Sequence, residues 1–341
     1  MIDRSTLFSW APWLALLAGG IYILVDGSEF ILHLATVTAI YAALAISLNL
    51  AFGYTGLFSI AHASLFGIGA YGTGILLSKF GLPFPAAILF GALVSGGVGA
   101  AIAAIFSKMD GPYFAIGTFA LGELVRIILN EWRGMTGGPM GLSVPRPTVQ
   151  LAALALDLND RPTFFAIAAL LLAATAGSVA ILLRSRLGAK MTHVRDDPSL
   201  AASLGVPILR TKIQAFFASG VLAGLAGGLF GVYLQFIAPS SFSGMESVRL
   251  VMMVVIGGAA TMFGPVVRAA IIVLLPQALR MDPTDSLIGT GLILIAVVLL
   301  MPKGIVGSLG PVLRRRKPAP RPAAAAVPLV PGRAGSAGNG R

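Results

Sequence analysis

Runs of apolar residues long enough to cross a bilayer recur along most of this chain, and nothing else in it constrains the fold as tightly. A helix needs about 20 apolar residues to span the hydrocarbon core. Ten runs qualify or nearly qualify: 10–25, 30–52, 57–78, 84–106, 111–130, 164–183, 213–236, 248–263, 264–279 and 286–301. The first and the last three are short. The runs at 248–263 and 264–279 are almost contiguous, which reads as one broken or re-entrant element. Only 11% of residues are charged, against about 25% in soluble domains, which excludes an ordinary soluble enzyme of this length. The 42 glycines are spread through the apolar runs, as in packed transmembrane helices. The chain is therefore expected to be an all-α polytopic membrane protein of about ten transmembrane helices.

Charge sets the direction of the spans. Residues 303–341 hold eight basic side chains and no acid, supplying +8 of the net +11. The segment 184–212 holds six basic residues and two acids. The positive-inside rule puts both on the cytoplasmic face. Eight of the thirteen acids (Asp26, Glu29, Glu131, Asp157, Asp160, Glu246, Asp282 and Asp285) fall in the opposite loops, 131–163 among them. Ten crossings fit that division with both termini cytoplasmic. The first run follows Arg4 as a signal peptide's would, but no small-residue cleavage site precedes Asp26, so it reads as a retained helix. The transmembrane domain is placed at 1–308. The Pro/Ala-rich tail at 309–341 is expected to be disordered, its Arg314–Lys317 cluster resting on anionic lipid. Basic charge so concentrated at spans argues for a membrane surface and against nucleic acid.

Catalytic equipment is missing. With no cysteine there are no disulfides, thiolate metal sites or cysteine nucleophiles. The three histidines, His33, His62 and His193, are far apart and lack neighbouring ligands, so no metal site is expected. The dipeptide Gly-Lys does not occur, which rules out a Walker A loop. The chain is read as non-enzymatic, with no cofactor of its own. Glu123 is the one acid deep in a run. Because gradient-coupled carriers usually carry intramembrane acids, this favours an outside energy source over an ion-coupled secondary carrier.

Four segments carry chemistry. In 47–71, Asn49, Tyr54, Thr55, Ser59 and His62 interrupt apolar sequence beside Gly53 and Gly56. Glycines there break a helix at membrane depth, which is tolerated only against protein or water. These residues either line a translocation pathway or glue helices together. Glu123 and Arg126 share a helix face and form either a gate or a structural ion pair. The glycines of Thr136-Gly-Gly-Pro-Met-Gly-Leu142 permit unusual backbone, for partner docking or a plain turn. In the basic loop, Asp197 suits an N-cap, Pro198 the first helical position and Gly205 the C-terminal cap. They predict a short helix at 198–204 that exposes Leu200, Ala201 and Leu204. Two further features follow: Gly220, Gly224 and Gly228 form a structural close-packing stripe, and Gly257-Gly258 and Gly264-Pro265 punctuate the run between the eighth and ninth spans as a broken helix or a tight inner turn, placed to touch the same partner as the short helix.

These segments, in this order, resemble the LivM-type permease subunit of branched-chain amino-acid ABC importers. Ser-Leu-Asn-Leu at 47–50, Gly-Tyr-Thr-Gly at 53–56 and Gly-Ile-Gly-Ala-Tyr at 67–71 carry the likeness. So do Thr-Gly-Gly at 136–138, Ala-Ala-Ser-Leu-Gly-Val at 201–206, Gly-Gly at 257–258 and Gly-Pro at 264–265. The resemblance covers roughly 30–308. It departs at Ala61 and Ala260, where the family often has glycine, at Pro139-Met140 in the outer loop, and at Arg268, an arginine expected to snorkel. It implies a permease fold with pseudo-repeated halves in the bacterial inner membrane. It also implies a second permease of the LivH type, two cytoplasmic ATPases that use the ATP, and a periplasmic solute-binding protein. The helix at 198–204 would then be the ATPase-coupling helix. Related subunits serving urea and short amides share most of these motifs, so that solute class stands as the alternative.

Overall fold

The computed structural model describes residues 18–24, 27–109, 111–151, 154–255, 261 and 263–278. After a helical stretch at 18–24 come α1 (Glu29–Phe52), α2 (His62–Ser78), α3 (Phe84–Phe106), α4 (Pro112–Glu131) and the single turn α5 (Arg133–Thr136). The strands β1 (Leu142–Ser143), β2 (Thr148–Leu151) and β3 (Leu154–Asp157) lead into α6 (Arg161–Arg184). Then follow α7 (Arg186–Asp196), α8 (Pro198–Ser203), α9 (Ile208–Leu234), β4 (Phe236–Ile237), α10 (Gly244–Val255) and α11 (Gly264–Ala278). Among the described residues, α1, α3, α4, α6 and α9 are long and apolar enough to cross a membrane, and α11 holds a shorter apolar segment. Within the near-contiguous pair of runs two helices are described, α10 as far as Val255 and α11 from Gly264. Gly257-Gly258, the run at 286–301, the tail at 309–341 and most of the run at 10–25 lie outside the described residues.

Small residues decide how the helices meet. α9 lies against α3 and α2, and α1 against α6 and α11. A Cβ added to Gly224 would stand 2.7 Å from the Ala92 Cα, and one on Gly220 would stand 2.8 Å from the Ser95 carbonyl oxygen. The glycine stripe therefore brings the α9 backbone onto α3, where close approach replaces the hydrophobic drive that lipid removes. Ser95 Oγ fastens three helices there, lying 2.8 Å from both the Leu65 and the Gly220 carbonyl oxygens. Arg268, expected to snorkel, is instead buried at 2% exposure within the chain.

The end of the bundle opposite α7 and α8 is closed by loops. β1 pairs antiparallel with β4, tying the segment after Thr136 to the exit of α9. Arg146 donates to the Val232 and Tyr233 carbonyls, a cation on orphan acceptors at a helix C-terminus. Its guanidinium stacks 5.4 Å from the Tyr233 ring and 5.6 Å from Phe164. Gly137, Gly138 and Gly141 all have positive φ, at 78°, 59° and 75°, so glycine is needed at this turn. Thr136 Oγ1 pins it, donating to the Leu129 carbonyl at 2.6 Å and accepting from the Gly138 N–H at 3.2 Å. The hairpin of β2 and β3 was not read from the sequence.

Candidate functional site

The junction of α1 and α2 is an irregular stretch from Gly53 to Ala61. Gly53 keeps right-handed helical angles, φ −69° and ψ −42°. The break is made by Gly56 at φ +77°, so the expectation that both glycines break the helix is corrected to one. Gly56 N–H donates to the Phe52 carbonyl at 3.0 Å, a left-handed helix cap. The polar side chains serve the backbone around it. Thr55 Oγ1 donates to the Leu50 carbonyl at 3.1 Å, and Ser59 Oγ accepts from the Ala61 N–H at 3.2 Å. Asn49 Nδ2 donates to the Thr261 carbonyl at 2.8 Å, joining the end of α1 to the approach to α11. Asn49, Tyr54, Thr55, Ser59 and His62 are all buried within the chain, while Gly56 is exposed and Phe58 half-buried.

His62 opens α2 and is fully buried. Its Nε2 lies 3.2 Å from both Ser47 Oγ and Ser219 Oγ. Each hydroxyl spends its one hydrogen on a carbonyl: Ser47 on Leu44 at 2.7 Å, Ser219 on Ser47 at 2.6 Å. That arrangement of hydroxyl hydrogens assigns the ring hydrogen to Nε2, which then faces both oxygens as donor. Nδ1 is left without a partner among the described residues. Ser219 was missed in the sequence. Its only signal is that it stands directly before the Gly220 stripe, which delivers it into the packed interior.

The basic end carries the short helix. Asp197 Oδ1 accepts from the Ser199 and Leu200 N–H groups at 2.9 and 3.0 Å, and Pro198 is the first helical residue. Gly205, at φ +79°, donates to Ala202, and Val206 donates to Ala201; together these form a Schellman closure. Leu200 and Leu204 are exposed at 57% and 69%. Ala201 is 1% exposed, a correction to its expected exposure: it lies on the face that packs inward. α7, not read in the sequence, precedes α8 and is capped by Ser185 Oγ. Its Arg195 reaches back to the break, where Nη1 donates to the Gly53 carbonyl at 3.0 Å.

Glu123 and Arg126 pair as expected, Nε to Oε2 at 2.6 Å. The second carboxylate oxygen was not anticipated: it accepts the Gly244 N–H at 2.7 Å. Among the described residues, no group of three or more His, Cys, Asp or Glu could hold a metal ion.

Residues 30–301 match the family described as branched-chain amino acid transport system / permease component. The chain is 30% identical over 333 residues to the high-affinity branched-chain amino acid transport system permease protein LivM of Salmonella typhimurium LT2. LivM of Escherichia coli K12 matches at the same identity, and both alignments take in 92% of this chain and 78% of the relative. A probable branched-chain amino acid transport permease protein LivH of Methanocaldococcus jannaschii is 28% identical over 141 residues, 38% of this chain and 44% of the relative. No solved structure matches the chain.

Proposed function

The chain belongs to the family of branched-chain amino acid transport system permeases, and from that premise we propose that it is the LivM-type permease subunit of an ABC importer. It forms the translocation pathway for branched-chain amino acids with a second, LivH-type permease. It sits in the bacterial inner membrane as about ten helices in two pseudo-repeated halves, with both termini and the loop 184–212 in the cytoplasm. The loop 131–163 faces the periplasm, where a solute-binding protein delivers the solute. Two ATPase subunits supply the energy. This chain contributes no phosphate-binding loop.

The observation that carries the reading is α8. A helix of six residues, capped at both ends and presenting Leu200 and Leu204 outward from a basic loop, is a rigid apolar plug. A solvated loop has no need of one, and an ATPase cleft does. The pathway is proposed to run beside the α1–α2 break, with Gly56 and Phe58 on its open side. Asn49, Tyr54, Thr55, Ser59 and His62 back the break from within the chain: Thr55 and Ser59 satisfy its backbone polar groups, and Asn49 ties the end of α1 to Thr261.

A pull-down from native membranes through a tag after Arg341 tests the assembly. An ATPase and a second permease are expected in it, and Leu200→Asp is expected to lose the ATPase alone. Recovery of the chain by itself, in a detergent that preserves other such complexes, contradicts the reading. Titrating the accompanying binding protein with leucine, urea and acetamide names the solute.

A further inference from the structure

We propose that Arg195 transmits movement of α8 to the α1–α2 break. The inference rests on the reading of α8 as the ATPase-docking helix. It begins from the carbonyls at the end of α1, which a helix leaves without internal partners. Three are satisfied locally: Leu50 by Thr55 Oγ1, Ala51 by the Leu57 N–H and Phe52 by the Gly56 N–H. The fourth, Gly53, accepts from Arg195, 142 positions away in the chain and on another element.

Arg195 is held so that it pushes as well as pulls. Asp196 Oδ1 accepts from its Nε at 2.9 Å and its Nη2 at 2.7 Å, leaving Nη1 aimed at Gly53. The side-chain stem and backbone of Arg195 lie on Gly56: a Cβ there would stand 3.1 Å from Arg195 Cγ and 3.4 Å from its Cα. Thus one residue grips the last turn of α1 and rests on the residue that turns the chain out of the helix.

The connection to α8 is equally short. Asp197 closes α7 through its N–H on the His193 carbonyl at 3.1 Å. The same residue opens α8 through its carboxylate. α7 and α8 are therefore joined at one doubly bonded residue, with no slack segment between Arg195 and Pro198. Displacing α8 displaces Arg195, and through it Gly53 and Gly56. In this proposal Arg195 is a positioning residue that acts through Gly53 and Gly56.

The test uses the complete complex in proteoliposomes. Arg195→Met keeps the stem on Gly56 and removes the donors; Arg195→Ala removes both; Arg195→Lys restores a donor. The chain has no cysteine, so single Phe58→Cys and Leu200→Cys substitutions report accessibility to a thiol reagent. In Arg195→Met and Arg195→Ala the ATPases are expected to stay bound, with Leu200→Cys still protected and ATP still hydrolysed. Solute moved per ATP is expected to fall at least tenfold, and the ATP-dependent change in Phe58→Cys labelling to vanish, with partial recovery in Arg195→Lys. Uptake per ATP within twofold of the parent, with the Phe58→Cys change retained, overturns the proposal. Leu200→Cys equally reactive with and without ATPases is a separate result: it overturns the docking reading, and this inference with it.

Discussion

Glu123 caps a helix to which it does not belong: its Oε1 accepts the N–H of Gly244, the first residue of α10, at 2.7 Å. The other oxygen holds Arg126 at 2.6 Å. A carboxylate at a helix N-terminus satisfies an orphan donor and meets the positive end of the macrodipole. The arginine one turn along offsets the cost of keeping the charge within a span. One oxygen joins α4 to α10 and the other pairs within α4, so both are engaged in contacts that a structural bridge would make.

Glu123→Gln is therefore expected to fold and transport. The amide oxygen still accepts from Gly244, and the loss of charge costs about 1 kcal/mol. ATP-driven uptake by the reconstituted complex should stay within twofold of the parent. A gradient-coupled carrier relying on this acid would instead lose transport, so uptake assays on the variant separate the two.

Gly56→Ala is expected to lower thermal stability. The left-handed conformation at φ +77° costs an L-residue about 1–2 kcal/mol, and the added methyl meets Arg195. Gly97→Ala is the control, since it lies in α3 with open space around its Cβ position. It should be neutral or stabilising by up to about 1 kcal/mol. Thermal unfolding of the two purified variants checks the contrast.

Ser219→Ala removes the donor to the Ser47 carbonyl and one of the two acceptors of His62. About 1 kcal/mol is expected to be lost with the buried hydrogen bond. The effect should not add to that of Ser47→Ala, since both act on one histidine. Denaturation of the single and double variants measures the coupling; strict additivity would separate the two serines from His62.

Asp197→Ala removes the cap of α8 at the cost of about 1 kcal/mol. Hydrogen exchange at the Ser199 and Leu200 amides, its two donors, should accelerate several-fold while the amides of α9 are unchanged.

The sequence was most informative where one short stretch settles its own geometry. The caps of α8 lie within nine residues, 197–205, and Asp197, Pro198 and Gly205 each act through local backbone. The same locality made the glycine stripe of α9 legible, because a period of four puts those residues on one face. What stayed hidden depends on distant partners. Nothing around His62 announces Ser219, which is 157 positions away. Arg195 reads as one more positive-inside charge until α7 is seen to fold back onto Gly53. Ala201 looked exposed because a helix of six residues has too little periodicity to show which face is buried. Gly53 and Gly56 are alike in sequence, and only the backbone angles single out Gly56 as the breaking residue.

The most direct test of the account is uptake of labelled leucine by proteoliposomes that contain this chain, the second permease and the ATPases, with the binding protein outside. Uptake is expected only with ATP on the ATPase side, to stop when the ATPases are omitted, and to be unmoved by imposed proton or sodium gradients. Gradient-driven uptake by the chain alone, without ATP, would contradict the account.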